Sequence, residues 1–381
     1  MNFRLTEDDM SMVEVFEDFG KKVLEPWAPR IENGEHPTEV IKAMAESGFL
    51  GMVAPEEYGG SGCNYLTLTL AMEILGKYCP AVTEHLNMAN CNLILPLMKF
   101  GTEEQKQKWI PRIASGEDIV SFCLTEPDAG SDNFSMKTTA VADGDDYVIN
   151  GQKCFITDAE AATIYMVFAV TGENAGRKEV TAFMLDKNVS GAGITLGKPE
   201  ETLGMHGAPA YNVYFDNVRV PKENIVGKVG GGFKAAMIGL NPGRCALSSL
   251  AIGIAQRAID ETVVHVKGRK MFGKTLADFQ NTQFVLAECQ TKLDAARLLV
   301  QKAAVALDQG EDGQLTSAEA KYFAAETANE VVYRCQQLFG GYGYTKEYPI
   351  EQMYRDVRIF TIFEGATEVQ KHVIAKCMGL R

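Results

Sequence analysis

The spacing of apolar residues changes twice along this 381-residue chain, and this change limits the fold more than any other feature. Helical spacing runs through residues 1–117, for example in YLTLTLAMEILGKY. In residues 118–228 the spacing shortens toward two, in segments such as IYMVFAV and NVYFDNVRV that are rich in β-branched and aromatic residues. Helical spacing returns in 229–381. The pattern predicts an α+β fold with an N-terminal helical domain, a central antiparallel β domain and a C-terminal helical domain.

Two local expectations follow from the same pattern. In the segment NTQFVLAECQTKLDAARLLVQKAAVAL, one helix face carries Leu293, Ala296, Val300, Ala303 and Leu307, and we expect that face to be buried. In DYVINGQKCFIT, the dipeptide Asn150-Gly151 is a typical hairpin signal, and it predicts a two-residue turn between strands.

Charge and cysteine content exclude several classes of protein. The chain has 37 Lys and Arg against 50 Asp and Glu, a net charge of −13, and no basic block, so we expect neither a nucleic-acid nor an anionic-membrane partner. No stretch of 18 apolar residues occurs, which predicts no membrane span. The nine cysteines form no CxxC pair, and the N-terminal residues lack an apolar export signal. Together these features predict a cytoplasmic protein without disulfides.

The common catalytic and metal motifs are missing from the sequence. HExxH, GxSxG, GxxxxGK[ST] and a GxGxxG after a strand do not occur, and the five histidines are dispersed. We therefore expect no metal site.

Five short segments stand out instead: FCLTEPDAGSD at 122–132, CFIT at 154–157, RKMFG at 269–273, QQLFGGYGY at 336–344 and FEGATE at 363–368. Each one alone is an ordinary loop or strand end. In this order and at these intervals they closely resemble the acyl-CoA dehydrogenase family, in its short-chain, butyryl-CoA dehydrogenase-like branch. The resemblance covers essentially the whole chain.

The resemblance implies a fold and an activity. The C-terminal domain would be a four-helix bundle, and the protein would be a homotetramer that holds FAD between the β domain and the bundle. The reaction would be the α,β-dehydrogenation of an acyl-CoA to a trans-2-enoyl-CoA, a step of fatty acid or carboxylic acid degradation. Hydride would pass from Cβ to flavin N5, and electron-transferring flavoprotein would be the electron acceptor.

The resemblance also implies which residues contact FAD. Thr125 would bond the pyrimidine edge of the flavin, Phe155 would pack on the ring, and Thr157 would reach N5. Arg269 would face the pyrophosphate, where Gly340 and Gly341 let backbone N–H groups approach without a Cβ. The full set of positions is Phe122, Leu124, Thr125, Gly130, Ser131, Phe155, Ile156, Thr157, Arg269, Phe272, Gln280, Gln337, Leu338, Phe339, Gly340, Gly341, Ala366, Thr367 and Glu368.

By the same resemblance, Glu364 is the catalytic base. An apolar setting between Phe363 and Gly365 raises a carboxylate's proton affinity, which suits removal of a weakly acidic α-proton. In other branches of the family the base immediately precedes the substrate arginine, but here that position is Gly243. The substrate positions are Ser131, Asn241, Arg244, Gly365 and Glu84.

Three positions depart from the family pattern. Ala366 stands where a Thr or Ser is usual, and His206 replaces a common arginine. Glu84 lies where glutaryl-CoA dehydrogenase has the arginine that binds a distal carboxylate, which disfavours a dicarboxylic acyl group. Glu84 either pairs within the protein or binds a cationic or hydroxylated acyl group.

Several other functions stay open at this point. An oxidase or flavin monooxygenase has the same fold, although such monooxygenases generally lack the base at Glu364. The chain could act in the enoyl-CoA reductase direction, or on a carrier-protein-bound acyl group. A catalytically silent scaffold would leave the flavin and base segments unexplained.

Overall fold

The computed structural model describes residues 5–380. Its N-terminal part is helical, as the apolar spacing predicts. The elements are α1 (Glu7–Phe19), a π-helical turn (Gly20–Leu24), α2 (Glu25–Glu32), α3 (Thr38–Glu46), α4 (Tyr65–Gly76), α5 (Pro80–Asn87), a second π-helical turn (Met88–Ile94), α6 (Leu95–Phe100) and α7 (Glu103–Ala114). Capping boxes at Thr6 and Thr102 begin α1 and α7.

The central part is a seven-stranded sheet, in agreement with the predicted β domain. The elements are β1 (Val120–Cys123), β2 (Thr139–Asp143), β3 (Asp146–Thr157), β4 (Ile164–Asn174), β5 (Arg177–Asp186), α8 (Lys187–Ser190), β6 (Ile194–Pro199) and β7 (Ala210–Pro221). The order is β1-β4-β2-β3-β7-β6, with β5 paired to β4. Most pairs are antiparallel, but β4 pairs in parallel with both β1 and β2. The chain crosses over between these partners instead of turning tightly, which is what parallel pairing requires.

The prediction of a hairpin turn at Asn150-Gly151 was wrong. Both residues lie within β3, at a bulge opposite β7. A Cβ at Gly151 would lie 2.5 Å from Thr138 Oγ1, so the glycine is needed for close packing and not for a turn. The turn between β2 and β3 is Gly144-Asp145, where Gly144 has a φ of +66°.

The C-terminal part contains the long helices α9 (Gly232–Gly268), α10 (Gln280–Asp308) and α11 (Gln314–Phe339), with the shorter α12 (Ile350–Val357) and α13 (Thr367–Cys377). A small hairpin of β8 (Lys270–Met271) and β9 (Lys274–Thr275) joins α9 to α10. The three long helices pack on one another, α12 and α13 pack on α11, and α4 packs on α9 and α10. The predicted apolar face of α10 is confirmed, because Leu293, Ala296, Val300 and Ala303 are buried and Leu307 is partly buried.

The changes between helix and strand fall near the predicted domain borders. The chain passes from α7 to β1 between Ala114 and Val120, and from β7 to α9 between Pro221 and Gly232. The borders at 117/118 and 228/229 stay a prediction. Within residues 5–380, none of the helices combines the length and apolarity needed to cross a bilayer.

Candidate active site

Glu364 lies in the short segment between α12 and α13, in an unusual backbone conformation. Its φ is +53°, and the φ of Gly365 is +93°. A left-handed conformation is uncommon for a residue with a Cβ, and it persists only where surrounding contacts hold it. The segment that carries Glu364 is therefore fixed from outside.

Lys321 on α11 supplies the main restraint. Its side chain is 1% exposed, and Nζ donates to the carbonyl oxygens of Phe363 at 2.9 Å and Gly365 at 2.7 Å. Gln370 Nε2 on α13 donates to the same Gly365 oxygen at 2.8 Å. Burial lowers the pKa of Lys321 to about 8, although the Glu364 charge opposes this shift. The two donors hold the backbone on either side of Glu364.

Sequence reasoning missed Lys321 and Gln370. The available signal was a lysine on an alanine-rich helix face, since Lys321 shares the buried face of α11 with Ala318, Ala324 and Ala325. A lysine is almost never fully buried unless it is paired, so this position calls for acceptors nearby.

The carboxylate of Glu364 is held on one side only. Asn92 Nδ2 donates to Oε1 at 3.1 Å, and Asn87 Nδ2 lies 3.4 Å from the same oxygen. Oε2 is shielded from solvent and has no hydrogen-bond partner among the described residues. A Cβ at Gly243 would lie 3.6 Å from Oε2, so the glycine leaves space at this oxygen. Burial raises the pKa of Glu364, partly offset by the amide of Asn92 and the charge of Arg244.

Asn87 and Asn92 reach the same carboxylate because of a local irregularity. Asn87 immediately precedes the π-helical turn Met88–Ile94, and Asn92 lies within it. In an α-helix, residues five apart point about 140° away from each other. The wider π turn brings the two side chains closer to one side, and such turns are frequent at functional sites.

The predicted substrate residues divide into two groups. Arg244 lies at the site: it is buried, its Nε is 3.5 Å from the carbonyl oxygen of Glu364, and its Nη1 donates to Asn241 Oδ1 at 3.0 Å. Asn241 in turn donates to the carbonyl oxygen of Asp312 at 3.0 Å. Ser131 is exposed on the loop after β1, and no hydrogen bond joins it to this cluster.

Glu84 lies near Glu364, and its assignment to the substrate site stays a prediction. It is 5% exposed on α5, and its Oε1 is 3.4 Å from the Asn87 Nδ2 that also contacts Glu364. Burial and the neighbouring Glu364 charge raise the pKa of Glu84 well above its usual value. The adjacent His85 does not pair with Glu84, since its ring bonds the buried Asp158.

The loop after β1 is fixed by a buried ion pair. Lys153 on β3 is fully buried, and its Nζ donates to Glu126 Oε1 at 2.8 Å and to the Leu124 carbonyl oxygen at 3.0 Å. Cys154 N donates to the Thr125 carbonyl oxygen at 3.0 Å. These contacts place Thr125 next to the strand that carries Phe155, which is 66% exposed with a φ of +55°.

Six of the predicted cofactor positions in the C-terminal part line a cleft of about 560 Å³. Arg269 and the segment 337–341 line it, together with His265 and Tyr342. The Arg269 guanidinium lies 5.4 Å from the centre of the Tyr342 ring and has no carboxylate partner in residues 5–380. At the tip of the nearby β8–β9 hairpin, Phe272 is 87% exposed with a φ of +50°. Gln280 is exposed at the start of α10.

Some predicted cofactor residues have side chains that are already committed. Leu124, Ile156 and Phe339 are buried in the core, and Phe339 stacks on His265. Thr367 donates to Glu326 Oε1 at 2.6 Å. These side chains offer little surface to a cofactor. The remaining positions are half-buried or exposed: Phe122, Gly130, Thr157, Leu338, Ala366 and Glu368.

The structure shows the surroundings of two residues that depart from the family pattern, Ala366 and His206. Ala366 is the N-cap residue of α13 and provides no side-chain cap, and the following Thr367 hydroxyl does not take over that position because it bonds Glu326. The His206 ring lies 3.3 Å from Glu32 and 3.3 Å from the Thr202 carbonyl oxygen, at the contact with the N-terminal domain.

In the activity that the family resemblance implies, Lys321→Met is expected to slow flavin reduction by roughly 10- to 100-fold, because the segment that carries the predicted base loses its restraint and small displacements of a catalytic group are costly. CoA-ester binding should change little. Stopped-flow reduction and ligand titration check both values, with Lys302→Met as the control, since Lys302 is exposed on α10. Equal losses in rate and binding would contradict a positioning role.

The chain is similar to known proteins over nearly its whole length. The N-terminal, middle and C-terminal domain models of acyl-CoA dehydrogenase match residues 6–117, 121–218 and 230–379. A 3-(aryl)acrylate reductase of Clostridium sporogenes is 42% identical, over 97% of this chain and 98% of its own. The subunit CarC of a caffeyl-CoA reductase-Etf complex of Acetobacterium woodii is 41% identical, over 90% of each chain.

The fold comparison agrees with the sequence comparison. The structure of butyryl-CoA dehydrogenase from Megasphaera elsdenii superimposes with a TM-score of 0.96 and 38% identity, over 99% of this chain and 100% of the other. The predicted family, fold class and cofactor are thereby confirmed. The chain belongs to the acyl-CoA dehydrogenase family and is an FAD-dependent oxidoreductase that acts on a CH–CH bond.

Proposed function

We propose that this protein oxidises the Cα–Cβ bond of an acyl-CoA thioester to a trans-2-enoyl-CoA, with Glu364 as the base that removes the α-proton. The observation that carries the proposal is the unpaired Oε2 of Glu364, which faces the space left by Gly243. A general base needs an oxygen within hydrogen-bond reach of the substrate proton, and the raised pKa strengthens that base.

The same segment supplies a donor for the thioester oxygen. The backbone N–H of Glu364 donates to no acceptor in the described part of the chain, and Lys321 and Gln370 fix the segment on which it lies. A preorganised N–H aimed at the oxygen where negative charge develops stabilises the enolate-like transition state. FAD, when bound, supplies the hydride acceptor for Cβ.

The residues fit an FAD molecule at two places. Phe155 beside Thr125 offers an exposed aromatic ring and polar backbone to the flavin. Arg269 is a cation without a carboxylate partner among residues 5–380, and a Cβ built on Gly340 or Gly341 meets no atom within 4 Å, so the cleft is open to a phosphate. The left-handed backbone of Phe155 and Phe272 is a strain typical of ligand sites.

Arg269→Ala is expected to weaken FAD binding at least about tenfold, because a charge-assisted contact to the pyrophosphate is lost. The melting temperature of the FAD-loaded protein should fall with it, since a ligand bound only to the folded state stabilises that state. Absorbance after gel filtration and a thermal scan measure the two effects. Lys267→Ala, an exposed lysine at the end of α9, is the control. A fully yellow, equally heat-stable Arg269→Ala protein would contradict the assignment.

We also propose a homotetramer that passes electrons to electron-transferring flavoprotein. Large apolar side chains remain exposed on the C-terminal helices, among them Phe284, Leu298 and Val305 on α10 and Tyr333 on α11. Exposed apolar groups of this kind favour burial against further copies of the chain. The name of the Acetobacterium relative links a similar subunit to an Etf complex. Sedimentation of the FAD-loaded protein tests the tetramer.

The reductive direction is a second candidate. Both of the relatives described above are named as reductases, and a Glu364 with a raised pKa can return a proton to Cα as well as remove one. Anaerobic titration with a panel of acyl-CoA esters, followed by flavin bleaching, tests the dehydrogenase. Reoxidation of the dithionite-reduced protein by crotonyl-CoA under the same conditions tests the reductase, and rapid reoxidation by air identifies an oxidase.

A further inference from the structure

Four buried oxygen atoms around Glu364 have no hydrogen-bond partner among the described residues. They are Glu84 Oε2, Asn87 Oδ1, Asn92 Oδ1 and Glu364 Oε2. All four oxygen atoms can accept a hydrogen bond. The side-chain N–H groups of Asn87 and Asn92 point at the carboxylates or at Met88. Leaving a buried polar atom unpaired is unfavourable by about 1–3 kcal/mol each, so such a group points to a missing donor.

Glu84 and Glu364 belong to one cluster. Asn87 Nδ2 lies 3.4 Å from Glu84 Oε1 and 3.4 Å from Glu364 Oε1, so a single amide bridges the two carboxylates. With Glu364 Oε2 at the α-proton, an acyl chain bound in this cluster would pass close to Glu84. The Oε2 atom of Glu84 is therefore available to a hydrogen-bond donor on that chain.

The cations nearby are engaged elsewhere. Lys321 bonds the carbonyl oxygens of Phe363 and Gly365, and Arg244 bonds Asn241. His85 and His36 both face Asp158. Glu84 forms no ion pair with any described residue, in contrast to Asp158, so its carboxyl group is not explained by an internal salt bridge.

We propose that Glu84 forms a subsite for an acyl group that carries a hydrogen-bond donor, a hydroxyl or an amine, at Cγ or Cδ. The proposal rests on the proposed function, because it uses Glu364 as the base to orient the substrate. A hydroxyl suits Glu84 in its neutral form, since it can both donate to and accept from a carboxyl group. An amine favours the ionised form.

The experiment compares matched substrates on the FAD-loaded protein. Butanoyl-CoA is paired with 4-hydroxybutanoyl-CoA, and pentanoyl-CoA with 5-hydroxypentanoyl-CoA and 5-aminopentanoyl-CoA. Wild type and Glu84→Gln are assayed for kcat/KM by flavin reduction, and the dissociation constants are measured by calorimetry. Glu104→Gln, on the exposed side of α7, is the control.

Wild type is expected to prefer at least one donor-bearing ester over its plain partner by about tenfold or more. Glu84→Gln should lower kcat/KM for that ester by about 30-fold more than for its plain partner, a difference equivalent to about 2 kcal/mol. Binding of the donor-bearing ester should weaken in parallel. The preferred ester distinguishes the hydroxyl from the amine.

Two results would overturn the proposal: equal effects of Glu84→Gln on both members of a pair, or a wild type that prefers the plain esters. Either would assign Glu84 a structural role beside Asn87. If Glu84→Gln does not fold, the substrate preference of the wild type decides alone. Failure of the proposed function looks different, because then no acyl-CoA, plain or substituted, would reduce the flavin.

Discussion

Glu364→Gln is expected to slow flavin reduction by acyl-CoA by about 10²- to 10⁴-fold, the range for loss of a positioned general base. The amide keeps the size of the side chain and an acceptor for Asn92, so FAD and CoA-ester binding should change little. Stopped-flow absorbance measures the rate constant. Glu347→Gln is the control, since Glu347 is an exposed glutamate of the same domain. A variant that reduces its flavin within tenfold of wild type would remove Glu364 as the base.

The pH dependence gives a second readout of the same assignment. Burial raises the pKa of Glu364 above its ordinary value, and only the ionised form accepts a proton. In wild type, the rate constant should therefore fall as the pH drops through that raised pKa. The acid limb should be missing in Glu364→Gln.

Lys153→Met is expected to lower the free energy of unfolding by about 3–5 kcal/mol, because it leaves the buried Glu126 carboxylate without its cation. The loop that carries Thr125 loses the donor to Leu124 as well, so FAD retention should decrease. Urea denaturation of the FAD-loaded protein and absorbance after gel filtration measure the two effects.

An exposed lysine near the same loop offers a matched control. Lys137 pairs with Asp128, and their side chains are 71% and 69% exposed. Such pairs contribute little, so Lys137→Met should resemble wild type. Similar losses in the two variants would mean that the ion pair of Lys153 does not fix the loop.

Much of the fold could be predicted because apolar spacing is a local property. The face of α10 from Leu293 to Ala303 follows from one helical period, whatever packs against it. The position of the hairpin turn was harder to predict, since the dipeptides Asn150-Gly151 and Asp143-Gly144 are equally good local signals for a turn. The choice between them depends on Thr138, which packs against Gly151 and is not visible in the local sequence.

The candidate site likewise contains residues that the local sequence indicates and residues that it does not. Glu364 could be assigned from its segment, and its unpaired oxygen and raised pKa suit that role without testing it. Asn87 and Asn92 could not, because they reach Glu364 from more than 270 residues away along the chain. Their placement depends on a π-helical turn and on the packing of two domains, and neither has a signature in the local spacing of residues.

Under the proposed mechanism, the residues that hold Glu364 also determine when during its synthesis the protein can become active. The carboxylate is held by residues that leave the ribosome early, whereas Lys321 and Gln370 are among the last to emerge. Domains generally fold as units in the order of synthesis. In that mechanism, a nascent chain has no assembled base until α13 has docked.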